Sequence, residues 1–177
     1  MYKPRLLLLV LFLFATTTAM AEGFYAGAGL GIVQIEDEDQ GISFEDSPMG
    51  WRLIAGFDVN ENFAVEGNYI NSGTAEDTVL GENVEAELSA FVVSFVGLMP
   101  ISDTAKLFAK LGYYTGEEEV TVFGITLDED ADGFAAGAGV RFDMANNFSI
   151  RGDFDWYDTD LDTLWSIGVG FQYSFGN

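Results

Sequence analysis

Residues 148–157 read Phe148-Ser149-Ile150-Arg151-Gly152-Asp153-Phe154-Asp155-Trp156-Tyr157. With a period of two, Phe148, Ile150, Gly152, Phe154 and Trp156 fall on one face, and Ser149, Arg151, Asp153, Asp155 and Tyr157 on the other. A helix would scatter the three charges around its circumference, whereas a strand gathers them on one side. Ten residues of tilted strand also match the apolar thickness of a bilayer.

The same pattern extends in both directions. Eight segments of this kind are predicted, at about 23–35, 50–59, 63–72, 84–99, 105–116, 133–144, 148–157 and 163–175. In the second, Trp51, Leu53, Ala55, Phe57 and Val59 oppose Gly50, Arg52, Ile54, Gly56 and Asp58. In the last, Trp165, Ile167, Val169, Phe171, Tyr173 and Phe175 oppose Ser166, Gly168, Gly170, Gln172 and Ser174. One face is large and apolar, the other small or charged. The fourth segment is ambiguous: Phe91, Val93 and Phe95 favour odd positions outward, but Val92, Val96 and Leu98 make its other face almost as apolar. Connections alternate between tight (60–62, 100–104, 145–147) and mostly longer, acid-rich ones (36–49, 73–83, 117–132, 158–162). Pro48 and Pro100 both lie in connections, where no ladder hydrogen bond is lost.

Face polarity separates two kinds of barrel. A soluble exported binding barrel would have to hold its Trp, Phe and Tyr inside a narrow eight-stranded lumen. A membrane barrel turns them to lipid and leaves glycine and charge inside. Aromatics near strand ends (Phe24, Trp51, Phe63, Tyr69, Phe148, Trp156, Trp165, Tyr173, Phe175) would then form two interfacial girdles. The five basic residues beyond position 21, Arg52, Lys106, Lys110, Arg141 and Arg151, all fall on the inward face. Lipid-facing Arg or Lys near the midplane costs about 2–4 kcal/mol, so this placement favours the membrane reading.

Composition narrows function. There is no Cys and no His among 177 residues, so disulfides, Cys/His zinc sites and nucleophile–His pairs are excluded. A charge of −22 with 29 Asp+Glu against 7 Lys+Arg opposes nucleic-acid binding. Sixteen Phe, seven Tyr and three Trp oppose disorder. Lys3 and Arg5, an apolar run from Leu6 to Ala15, and Ala19-Met20-Ala21 make residues 1–21 a signal peptide cleaved after Ala21. The apolar run covers about half a bilayer as helix, and no lipobox cysteine accompanies it. Removing Lys3 and Arg5 leaves five cations and 29 acids on residues 22–177, a charge of −24 on a single expected domain.

Phe24-Tyr25-Ala26-Gly27-Ala28-Gly29-Leu30-Gly31, Gly137-Ala138-Gly139-Val140 and the closing Ser166-Ile167-Gly168-Val169-Gly170-Phe171-Gln172-Tyr173-Ser174-Phe175 resemble the small OmpA-like and OmpX-like outer-membrane β-barrel family in its eight-stranded, porin-family form. The resemblance spans all of residues 22–177 and is more specific for fold than for function. It implies an all-β, closed, antiparallel up-and-down barrel in the outer membrane of a Gram-negative bacterium; the family's peptidoglycan-binding C-terminal domain is expected to be absent, because the sequence ends with strand 8. The closing strand resembles the aromatic signal read by the barrel-assembly machinery, with Phe171, Tyr173 and Phe175 as its residues. It departs slightly, because Gly176 and Asn177 follow the last aromatic. The resemblance also implies inward charges that bridge the lumen, which Glu66 and Arg151 match.

Two constellations carry the functional expectations. Inside, Arg52, Glu66, Lys106, Lys110, Arg141, Arg151, Asp153 and Asp155 form a lumen charge network. Glu66, Arg141 and Arg151 lie at similar depth, Arg52 and Asp155 lie further from the tight turns, and Lys110 lies between. Outside, Asp128, Asp130 and Asp132 start like a calcium loop but lack its closing glutamate, Gly139 standing there. Asp158, Asp160 and Asp162 repeat the pattern. These acids would lie beside lipopolysaccharide phosphates, where Mg²⁺ or Ca²⁺ could bridge; otherwise no cofactor is implied. The barrel enzymes of this compartment resemble one another in using histidine, so no enzyme is expected. The reading is a monomeric barrel with a structural, membrane-integrity role. Its acidic surface loops would serve interaction or adhesion. A narrow porin-like channel is the alternative.

Overall fold

The computed structural model describes residues 23–36, 48–79, 82–122, 125–158 and 163–175. Its strands are β1 (Phe24–Glu36), β2 (Met49–Asn60), β3 (Phe63–Val79), β4 (Glu82–Pro100), β5 (Ala105–Val122), β6 (Ile125–Asp143), β7 (Phe148–Asp158) and β8 (Thr163–Phe175). Each pairs antiparallel with the next, and β1 pairs with β8 from Phe24↔Phe175 to Glu36↔Thr163, which closes the barrel. The export signal expected over 1–21 lies outside the described residues, as do Asp160 and Asp162.

At the short-turn end, side chains take over the hydrogen bonds that the ladders leave. Asn60 Oδ1 accepts from the backbone N–H of Asn62 (2.9 Å) and Phe63 (3.0 Å). Ser102 Oγ accepts from those of Thr104 and Ala105 at 3.3 and 3.0 Å. Asn146 and Asn147 adopt φ of 61° and 64°, a left-handed geometry that Asn tolerates better than most residues.

The expected faces appear. In β2, Trp51, Leu53 and Ala55 are exposed, and Arg52, Ile54 and Gly56 are buried. The ambiguity of β4 resolves with odd positions outward: Phe95 is 76% exposed, whereas Val92 and Val96 are each 4% exposed. The expectation of a small or charged interior needs correction, because Tyr25, Ile54, Val92, Val96, Phe108 and Tyr114 are buried within it. Inward glycines make room for such groups. A Cβ at Gly56 would meet the Tyr25 ring, one at Gly139 the Phe108 ring, and one at Gly168 would stand 2.7 Å from Arg52 Nη2.

Strand lengths are the larger correction. β3 to β6 run 17, 19, 18 and 19 residues, against 12 or 13 for β1, β2 and β8 and 11 for β7. Pairing continues to Val79↔Glu82 and to Val122↔Ile125, so most of 73–83 and 117–132 is strand where long loops were expected. Acid content suggested loop there, but Thr74, Thr78, Val79, Val120, Thr121 and Val122 carry strand propensity through both segments. Half of the barrel wall thus continues past the rim as a four-stranded sheet.

Candidate functional site

Two apolar layers and one charged layer fill the lumen. Toward the short turns lie Tyr25, Ile54, Ala64, Val96, Leu98 and Phe108. Toward the long hairpins lie Val33, Ala90, Val92, Tyr114, Ala135, Tyr157 and Leu164. Between them stand Arg52, Lys110 and Arg151 with Glu66, Asp153 and Asp155. Strand alternation delivers these six to a common interior from β2, β3, β5 and β7.

Three cations against three carboxylates make the layer neutral, and every member is paired. Arg52 reaches Asp155 at 2.8 Å and Asp153 at 3.1 Å. Lys110 reaches Asp155 at 2.7 Å, Asp153 at 3.0 Å and Glu66 at 4.0 Å. Arg151 contacts Glu66 and Asp153, each at 2.7 Å. The Arg151–Glu66 contact is two-pronged, Nη1 donating to Oε2 and Nη2 to Oε1 at 2.7 and 3.3 Å. Tyr25 and Asn68 each donate a further hydrogen bond of 2.9 Å to Glu66. Below, the Arg151 guanidinium lies 4.7 Å from the centre of the Phe108 ring, so the apolar layer also supports the charge above it. Geometry of this quality is what lets buried ions persist, because each leaves water at a cost of several kcal/mol.

A second neutral group sits at the short-turn mouth. Lys106 and Arg141 approach Asp143 at 3.3 and 3.2 Å, and Arg141 lies 3.8 Å from Asp58. Ser149 Oγ donates to Asp143 at 2.9 Å. The register aligns Lys106, Arg141 and Arg151 across β5, β6 and β7. Like charges opposite one another are unfavourable, and Asp143 on one side with Glu66 and Asp153 on the other offsets them.

The predicted network is therefore two clusters. Glu66 and Arg151 meet as their depth suggested, Arg52 meets Asp155, and Lys110 bridges both levels. Arg141 stands level with Arg151 in the register, as its depth suggested, but takes its partners Asp143 and Asp58 at the mouth, where Lys106 also pairs. Tyr25, Asn68, Asp58 and Asp143 were not anticipated as site residues. The last two stand on the inward faces of β2 and β6, and counting inward acids against the five cations would have found them.

Outside, Phe171, Tyr173 and Phe175 of the expected assembly signal point away from the lumen. Phe175 lies 5.6 Å from Phe24, and Tyr173 lies 5.0 Å from Phe148, centre to centre, forming one aromatic cluster at the short-turn end. Trp51–Tyr69 at 5.5 Å and Tyr113–Phe134 at 5.8 Å mark the opposite rim. Trp156 is only partly exposed.

Asp128, Asp130 and Asp132 lie within β6, not in a calcium-type loop, and Asp158 ends β7. Among the described residues, no three acidic side chains gather closely enough to hold a metal ion. Across β5 and β6 acid instead stands opposite acid: Glu117↔Asp130, Glu118↔Glu129 and Glu119↔Asp128, with Glu76↔Glu85 across β3 and β4. All five basic residues beyond position 21 lie inside the barrel or at its mouth. Segments 36–46, 76–87, 117–132 and 158–162 therefore carry many acids and no Lys or Arg.

Comparison with known proteins gives the same architecture. The attachment invasion locus protein of Yersinia enterocolitica is 23% identical over 142 residues, covering 77% of this chain and 79% of that protein. The crystal structure of the Yersinia pestis attachment invasion locus protein Ail, in complex with the heparin analogue sucrose octasulfate, aligns with a TM-score of 0.66. It is 19% identical and covers 86% of this chain and 98% of that one. Neisserial surface protein A aligns with a TM-score of 0.70 at 13% identity, over 87% and 98% of the two chains. The family model for the outer membrane protein β-barrel domain matches residues 6–175. The chain belongs to that family, and its barrel resides in the outer membrane.

Proposed function

We propose that the protein is a closed, non-enzymatic outer-membrane barrel that anchors an acidic interaction surface outside the cell. In this reading the short turns face the periplasm and the extended sheet faces outward. The neutral, fully paired charge layer between two apolar layers carries the proposal, since a permeating ion would have to break buried ion pairs and cross both apolar layers. Its carboxylates are occupied by Arg and Lys, which leaves none free for acid–base chemistry. The names of the Yersinia relatives, attachment invasion locus proteins, support an adhesive role.

Charge sets the partner class. Sucrose octasulfate, found with the Yersinia pestis protein, is a polyanion. The outward end of this chain has no Lys or Arg to receive one, so a cationic partner fits it instead. Lipopolysaccharide phosphates beside the same surface would need Mg²⁺ or Ca²⁺ between the two anions. The barrel acts as a monomer, inserted by the barrel-assembly machinery through Phe171, Tyr173 and Phe175.

One observation favours a narrow channel. A recess lined by Arg52, Asn68, Ser94, Lys110, Asp155 and Tyr157 adjoins the charge layer, and Asn68 Oδ1 is buried there without a hydrogen-bond partner. Planar-bilayer recording separates the readings. A closed barrel gives no steady single-channel steps, and steps that change with Arg151→Ala establish the channel.

A further inference from the structure

Where the charge layer meets the outer apolar layer, the lumen leaves a recess of about 10 Å³. That is room for about one water-sized sphere and nothing larger. Asn68, Ser94 and Lys110 give it polar lining, and Ile70, Val92 and Ala135 of the outer apolar layer also line it.

Asn68 is 3% exposed and only half satisfied. Its Nδ2 donates to Glu66 Oε1 at 2.9 Å, but its Oδ1 is buried with no hydrogen-bond partner. The amide cannot be turned round, because that would set its oxygen against a carboxylate oxygen. A buried acceptor without a donor is costly. Lys110 presents the complementary case, since its ammonium carries three N–H groups. It lies 2.7 Å from Asp155 and 3.0 Å from Asp153, but the next carboxylate, Glu66, is 4.0 Å away, beyond direct hydrogen-bond reach. The recess therefore joins an acceptor that lacks a donor to a cation with more N–H groups than close carboxylates.

Charge selects the ligand. A metal ion would sit beside Arg52 and Lys110, and a halide beside Asp155 and the amide oxygen. A neutral molecule that both donates and accepts meets neither repulsion, and at this volume that molecule is water. We propose that the recess holds one long-lived water, which donates to Asn68 Oδ1 and accepts from Lys110 Nζ. The buried Ser94 hydroxyl is its third partner. The water ties β3 to β5 and steadies the amide that orients Glu66. The recess then belongs to the seal and not to a conducting path. This goes beyond the closed-barrel reading and needs neither its adhesive surface nor its partner.

The test is a crystal structure of the full mature chain, grown with rubidium bromide at a resolution that shows single waters. A peak within hydrogen-bond reach of Asn68 Oδ1, with no anomalous signal, supports the site. An empty recess overturns it, and so does an anomalous peak from Rb⁺ or Br⁻ there. In detergent micelles, magnetic relaxation dispersion of the water signal counts long-lived waters. Ala135→Val adds two methyl groups beside the recess without altering Asn68 or the ion pairs, and lowers that count by about one. Asn68→Leu, which removes the acceptor, does the same. An unchanged count in either folded variant overturns the proposal. An empty recess leaves the closed-barrel reading standing, whereas an ion there sinks it as well, so the two failures are distinct.

Discussion

The lumen and the protruding sheet are built from the same acids under opposite rules. Inside, Glu66, Asp153 and Asp155 each touch at least one cation within 3 Å, and the layer sums to zero. Outside, Glu117, Glu118 and Glu119 face Asp130, Glu129 and Asp128 across a ladder with no cation in the hairpin. The difference is one of dielectric. An unpaired carboxylate between apolar layers costs several kcal/mol, whereas two in salt water repel by a fraction of one. With only five cations on residues 22–177, the interior takes all of them.

Removing a cation from the interior breaks the contrast most severely. Arg151→Ala leaves buried Glu66 with no cation nearer than Lys110 at 4.0 Å and should lose about 3–5 kcal/mol, read from the urea midpoint of unfolding in detergent. Phe95→Arg comes next. That side chain is 76% exposed on the outer wall, with four β4 residues between it and the short-turn end at Pro100. A lipid-facing position should lose up to about 2–4 kcal/mol, and a water-facing one almost nothing; a neutral result would sink the membrane orientation of this wall. Replacing a pair is milder than breaking one. Glu66→Leu with Arg151→Met keeps the layer at two cations and two carboxylates and should come within about 1 kcal/mol of the parent. Lys106→Ala at the mouth, where the side chain is 26% exposed, should lose at most about 1 kcal/mol.

The smallest expected effect lies on the sheet and has the opposite sign. Glu118→Lys, opposite Glu129, should stabilise the β5–β6 ladder by a few tenths of a kcal/mol. It would appear as slower amide exchange in the hairpin at low salt, with the advantage fading as ionic strength rises. Faster exchange in that variant would show that the acid-on-acid register does not govern the hairpin.

Alternation made the barrel legible. Leu53, Val65, Phe95 and Phe171 announce an outer wall because lipid imposes one chemistry on every second residue. The inner face was harder, because a lumen accepts glycine, tyrosine, valine or arginine provided the volumes interlock. Phe108 and Tyr25 are core residues there only because Gly139 and Gly56 stand across from them. The partners of Arg141 were hidden for a related reason. Distance from a turn gives depth along a strand, but tilt and the mouth acids Asp58 and Asp143 decide which partner lies nearest. The protruding sheet was hidden by composition: acidic residues resemble loop until the intervening Val and Thr are weighed.

The seam between β1 and β8 has a kinetic consequence. Every other strand pair is joined by a local connection, but Phe24↔Phe175 brings together residues 151 apart. Closing a loop of that length costs about 4 kcal/mol in chain entropy beyond the length-independent part. The cross-lumen bonds share this dependence, since Arg52 on β2 and Glu66 on β3 find their partners on β7 only when the curved sheet has become a cylinder. Before closure these ions face an open trough; after it they lock one another in place. The charge layer thus acts as a latch on the finished cylinder, set by the last strand to arrive.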